Sequence, residues 1–173
     1  MAFGYGVSVT PLQLARAYAA FAADGVLKSV SFLRVDADVE GQRVMSVETA
    51  REVRKMMQRV ISSEGTGSRA AVTNYSVAGK TGTVHKFAAG GYAEDRYMAI
   101  FAGMVPANHP RLVMVVMIDQ PDKGEHFGGD VAAPVFSTVM TGAMRLLAVP
   151  PDQVRDDRLV LDTKTPDSRD EKV

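Results

Sequence analysis

Three β-rich segments, Tyr75–Val84, Arg96–Val105 and Leu112–Ile118, follow one another with no helical period between them. This run constrains the fold most, because consecutive strands with short connections close as neighbours in one sheet. The second and third are separated by Pro106-Ala107-Asn108-His109-Pro110-Arg111, a turn-rich connection that predicts an antiparallel hairpin. The near-continuous apolar run Leu112–Ile118 predicts a central strand covered on both faces.

Helical periods flank the strands. Thr10 reads as an N-cap, with Pro11 in the first helical position and Gln13 completing a capping box. The helix is predicted to run to Asp24, with Leu14, Ala17, Tyr18 and Phe21 on its apolar face and Gly25 as its left-handed stop. Val30–Val35 and Gln42–Met45 predict two short strands around a polar turn. Ser46 then caps a helix whose buried stripe is Val53, Met56, Met57, Val60 and Ile61. Glu64-Gly65-Thr66-Gly67 breaks that helix and Gly124–Gly129 predicts a loop. Val131–Val149 predicts a long apolar helix interrupted early by Pro134. This order predicts an α+β fold: an antiparallel sheet with packed helices.

At 173 residues the chain is long enough for one core. Residues 1–151 are expected to form the folded part. Residues 152–173, with 12 charged side chains in 22, are expected to be a disordered tail. Basic and acidic residues number 20 each, so no overall field favours nucleic acid or an anionic membrane. There is no cysteine, which excludes disulfides, thiolate nucleophiles and Cys-ligated metals. No uncharged run reaches the roughly 20 residues of a membrane span. Met1-Ala2-Phe3-Gly4-Tyr5-Gly6 lacks the features of a signal peptide, so export is expected to depend on a segment outside this sequence.

Gly79-Lys80-Thr81 invites a phosphate-loop reading, but the position five residues before Gly79 is Asn74, and the strand pattern continues through the motif instead of opening a helix. Gly4-Tyr5-Gly6 lacks the third glycine of a dinucleotide fingerprint. Lys80-Thr81-Gly82-Thr83 instead has the residue types of a carboxylate-binding strand in serine acyl-transferases. A lysine on a strand edge offers a fixed charge to a substrate carboxylate, and the Thr81 hydroxyl can donate to the same group. Gly82 leaves room for a peptide backbone to pair with the strand. Thr83 can aim its N–H at an oxyanion. His85, His109 and His126 lack metal-ligand spacing, and no metal or cofactor is expected. Met56-Met57 and Met140/Met144 read as core.

The surrounding blocks are Gly4-Tyr5-Gly6, Val9–Ala15, Glu64–Gly67, Val77–Thr83, Phe101-Ala102-Gly103, Gly128-Gly129 and Ala132–Phe136. In order and spacing they resemble class B penicillin-binding proteins, nearest the peptidoglycan D,D-transpeptidases dedicated to division, over roughly Met1 to Val154. The resemblance implies the C-terminal portion of a serine β-lactamase-like transpeptidase domain. Such an enzyme works at the periplasmic face of the bacterial inner membrane and cross-links stem peptides during septal wall synthesis. It assigns Lys80, Thr81 and Gly82 to substrate binding, Thr83 to the oxyanion N–H, and Phe127 to an aromatic position over the acyl site. The implied partners are peptidoglycan stem peptides, β-lactams, division-machinery membrane proteins and the preceding part of the same protein. Neither SxxK nor SxN occurs in the 173 residues. The nucleophile is therefore expected in that preceding part, and this chain alone is expected to be catalytically incomplete. The rival readings are a penicillin-binding sensor or scaffold without turnover, and a nucleotide-binding domain.

Overall fold

A computed structural model describes residues 7–35, 39–88, 91–121 and 124–153. The elements are α1 (Pro11–Ala22), β1 (Val26–Lys28), β2 (Gly41–Arg43), α2 (Val47–Arg59), a single 3-10 turn at Ser68–Ala70, β3 (Ala78–Ala88), β4 (Gly91–Val105), β5 (Leu112–Asp119) and α3 (Gly128–Leu146). The architecture is α+β, with β3, β4 and β5 in one antiparallel sheet. Gly4-Tyr5-Gly6 and nearly all of the tail fall outside the described residues.

Residue alternation along β4 divides the core. Phe101 and Val105 point to α3, where they join Val77, Val116, Phe136, Met140 and Met144. Met104 points the other way, to Ala78, Tyr18, Phe21 and Met57 of the α1–α2 side. Phe101 and Phe136 meet edge-on, with ring centroids 4.8 Å apart. The sheet thus has α3 on one face and α1 with α2 on the other, and the largest fully buried side chains come from β4 (Phe101, Met104, Val105) and α3 (Phe136, Met140, Met144).

α1 starts as its sequence predicts: the Gln13 N–H donates to the Thr10 hydroxyl, and the Thr10 N–H donates to the Gln13 side chain. Asp24 and Gly25 both take left-handed φ, 49° and 90°, and the Gly25 N–H returns to the Ala20 carbonyl.

Five expectations are corrected. Val30–Val35 is not a strand. The Ser31 hydroxyl exchanges hydrogen bonds with the Leu33 N–H and carbonyl at 3.0 Å, taking groups a ladder would use. The strand that pairs with Gly41–Arg43 is Val26–Lys28. β5 is an edge among the described strands, which run β3-β4-β5; its apolar run reflects α1 on one face and α3 on the other. The strands are longer than predicted, with β3 displaced from Tyr75–Val84 to Ala78–Ala88 and β4 starting at Gly91 instead of Arg96. Met56 is exposed, and the buried positions of α2 are Ala50 and Arg54.

Finally, α3 starts at Gly128 and runs through Pro134 without a break. A proline has no N–H to give the carbonyl four residues back. That carbonyl, on Asp130, instead accepts from Arg69 Nη1 at 3.1 Å, which satisfies the group Pro134 leaves free.

Candidate active site

Lys80 to Thr83 occupy β3, which is an edge among the described strands. They pair with Ala102, Phe101, Ile100 and Ala99 of β4, so the motif is held over the buried middle of the sheet. A cavity of about 350 Å³ opens beside it, lined by Thr66, Arg69, Thr81, Thr83, Phe127 and Gly129 among others. That volume suits a small ligand. The structure therefore brings Thr81, Thr83 and Phe127 to one cavity, whereas Lys80 and Gly82 lie on the same strand outside its lining.

The cavity exists because three segments approach closely. A Cβ on Gly128 would collide with the carbonyls of Ile100 and Gly82, and one on Gly129 would collide with the Thr66 carbonyl. Glycine is required at both positions for the amino end of α3 to sit against β3 and the 64–67 loop. The Gly128 N–H donates to the Thr83 hydroxyl at 3.0 Å, which fixes β3 to the helix start. The partial positive charge of that helix end favours an anion in the cavity.

The hydroxyls of Thr66 and Thr81 lie 3.1 Å apart, close enough for one to donate to the other. Lys80 Nζ donates to the Thr81 carbonyl at 3.1 Å, and among the described residues no carboxylate comes within ion-pair range of it. An exposed ammonium bonded to neutral oxygen keeps donors available for an anionic ligand.

Phe127 stands at the cavity rim, 58% exposed, and its position is set by a column of rings. His85 and Tyr97 are cross-strand partners on β3 and β4, with centroids 4.5 Å apart. His126 stacks on Tyr97 at 4.1 Å and 17°, and Phe127 leans on His126 at 4.4 Å. Two of the three histidines thus serve the aromatic column, and no cluster of metal-ligating side chains occurs among the described residues.

Sequence reasoning missed Thr66 and Arg69 as cavity residues, and Tyr97 as a member of the ring column that ends on Phe127. The 64–67 block was read as a helix breaker and as one of the resembling blocks, with no role in a cavity, and nothing local to Tyr97 shows that a loop residue 29 positions on will stack against it.

The family described as penicillin binding protein transpeptidase domain matches residues 1–141. The chain is 44% identical over 162 residues to the probable peptidoglycan D,D-transpeptidase PbpC of Pseudomonas aeruginosa, covering 94% of this chain and 29% of that protein. It is 43% identical over 150 residues to the peptidoglycan D,D-transpeptidase FtsI of Escherichia coli K12, covering 87% and 26%. Among solved structures, the apo transpeptidase domain of penicillin-binding protein 3 from Burkholderia pseudomallei superposes with a TM-score of 0.81 at 46% identity, covering 87% of this chain and 46% of that one. The chain thus spans under a third of the length of these curated relatives.

Proposed function

The chain belongs to the family of penicillin-binding protein transpeptidase domains, and from that membership we propose that it supplies the substrate-binding strand of a peptidoglycan D,D-transpeptidase. The observation that carries this is the convergence of Thr81, Thr83 and Phe127 on one cavity beside an accessible strand edge. Lys80 and the Thr81 hydroxyl receive the terminal carboxylate of a stem peptide. The Thr66 hydroxyl, 3.1 Å from that of Thr81, orients it. Gly82 lets the peptide backbone run beside β3, and the Thr83 N–H receives the oxyanion formed when serine attacks the carbonyl. Phe127 covers the acyl site.

Neither SxxK nor SxN occurs in the chain, so the serine, its base and the second oxyanion donor come from another part of the protein. A large apolar groove supports this reading. About 650 Å³ of open space lies between residues 7–14 and the sheet, lined by Leu14, Val84, Met98, Ile100, Val115 and Met117. We assign it to packing against that other part. The proposed setting is septal wall synthesis at the periplasmic face of the inner membrane, with division-machinery proteins as partners. The domain segment is proposed to extend past the expected boundary at 151 to include Asp152, whose carboxylate accepts from Ser76 and Asn108. Among the described residues no helix is long and apolar enough to cross a membrane.

The test is a graft. Residues 1–141 replace the matching segment of the Burkholderia transpeptidase domain, and covalent labelling by a fluorescent penicillin is read by intact mass. The hybrid is expected to acylate, and Lys80→Ala is expected to slow it by roughly 30- to 1,000-fold, the equivalent of losing 2–4 kcal/mol of site electrostatics. The 173-residue chain alone is expected to take no label. A stoichiometric adduct on the chain alone, or equal rates with and without Lys80, overturns the reading.

A further inference from the structure

A second cleft, of about 530 Å³, lies toward the end of the sheet where β4 turns into β5, and it shares no lining residue with the Thr81–Thr83 cavity. One wall is α2, which presents Arg51, Arg54 and Lys55 on one helix face. The other wall is the β4–β5 turn, which presents His109 and Arg111. Arg51 and Lys55 are exposed along the cleft and Arg54 is buried at its base, and the facing wall adds another cation.

The charges do not balance within the cleft. Asp24 is the one carboxylate lining it, and it takes both Arg51 at 2.8 Å and Arg54 at 2.9 Å. Lys55 pairs with Glu52 at 2.7 Å on the exposed surface. Among the described residues the Arg111 guanidinium has no hydrogen-bond or ion-pair partner, although it is exposed beside these cations. Like charges gathered at an open cleft raise a positive potential that favours an anionic occupant.

We propose that this cleft binds an acidic peptide segment of a partner protein. Asp24 already shows the mode: its carboxylate accepts from Arg51 Nη2 and Nε at 2.8 and 3.4 Å, the fork geometry in which guanidinium takes a planar carboxylate. Cations stand on both walls, so a single small anion meets only some of them. Alternate residues of an extended peptide lie roughly 7 Å apart on one face, so two carboxylates can engage α2 and Arg111 together.

The experiment is fluorescence anisotropy of the 173-residue chain with a labelled (Glu-Ser)4 peptide, using (Gln-Ser)4 as control. Expected are saturable binding of the Glu peptide alone, weakening as salt rises, and a loss of about tenfold or more with Arg111→Glu and separately with Lys55→Glu. Both side chains are exposed, so reversal leaves the core untouched. Any of four results overturns the proposal: no binding at concentrations up to about 1 mM, indifference to both reversals, equal binding of the Gln peptide, or displacement by equimolar inorganic phosphate, which would make this a small-anion site. Binding that appears only after residues 154–173 are deleted also overturns it, because the occupant would then be the chain's own carboxylates.

Discussion

The two ends of the segment Ser76–Thr83, which enters β3 at Ala78, use polar groups in opposite ways, a closed end at Ser76 and an open end at Lys80–Thr83. Just before the strand, Ser76 is buried and fully engaged. Its N–H donates to Asp152 Oδ1 at 2.7 Å, its hydroxyl donates to Asp152 Oδ2, and the same hydroxyl accepts from the N–H groups of Ala107 and Asn108. Asn108 Nδ2 adds a further bond to Asp152 at 2.8 Å. At Lys80–Thr83 the ammonium leans on a neutral carbonyl, and the Thr66 and Thr81 hydroxyls share one contact. Groups that hold the fold spend their donors on one another, and groups that serve a ligand keep donors in reserve. Substitutions at the two ends should therefore separate stability from binding.

The largest expected effect is at the closed end. Asp152→Ala removes acceptors from three donors, two of them on a residue that is 2% exposed, and should cost about 3 kcal/mol. Urea unfolding measures it, and Asp152→Asn should recover part of the loss. A cost under about 1 kcal/mol would mean that water replaces the carboxylate, and the contrast between the ends would weaken.

Second is Arg54, which is 7% exposed in its side chain and donates to the carbonyls of Phe21 and Ala22 as well as to Asp24. Arg54→Met should destabilise by about 2 kcal/mol, below the figure for a fully buried pair because Asp24 is partly solvated and keeps Arg51. Calorimetry on the purified chain checks this.

These two positions also show where the sequence stopped being legible. The α1 capping box, Gly25 and the three sheet strands follow from local residue chemistry, so they could be read directly. Lys80-Thr81-Gly82-Thr83 could be placed on a strand edge because its residues run in series within a β-rich segment. Nothing near Arg54 in the sequence marks its role, because the carbonyls it caps lie 32 and 33 positions away. Asp152 looked like the first residue of a solvated tail, because Ser76 is 76 positions away. Thr66 and Tyr97 were missed for the same reason: long-range pairing leaves no periodic trace.

A smaller effect is expected in acid. The hydrogen bond from Arg51, then the charges of Arg54 and Arg51, hold the Asp24 carboxyl below its ordinary range. The folded value lies below the unfolded one, so the stabilisation is present above about pH 3.9 and fades as pH falls through the lower folded value. Glu48 behaves alike, lowered by its own backbone N–H and the Ser46 hydroxyl, so the measurement must be differential. Between pH 5 and 2.5, roughly, wild type should lose up to about 1 kcal/mol more than Asp24→Asn, a modest figure because the pair is solvated. Equal acid sensitivity would mean that the Asp24 carboxylate adds nothing to stability through Arg51 and Arg54.

The smallest expected effect on stability is at the open end, and it is the sharpest test of the contrast. Lys80 is exposed, buries nothing of note, and gives its one close hydrogen bond to the carbonyl of the next residue. Removing a solvated charge that has no charged partner costs little, so Lys80→Ala should change the unfolding free energy of the chain by less than about 0.5 kcal/mol. The same change in the grafted domain should remove most acylation, because the bound carboxylate then lacks its cation. If Lys80→Ala instead costs more than about 1.5 kcal/mol in urea, the lysine is a structural residue like Arg54. The two ends of the Ser76–Thr83 segment would then be built alike, and a loss of acylation could no longer be assigned to substrate binding.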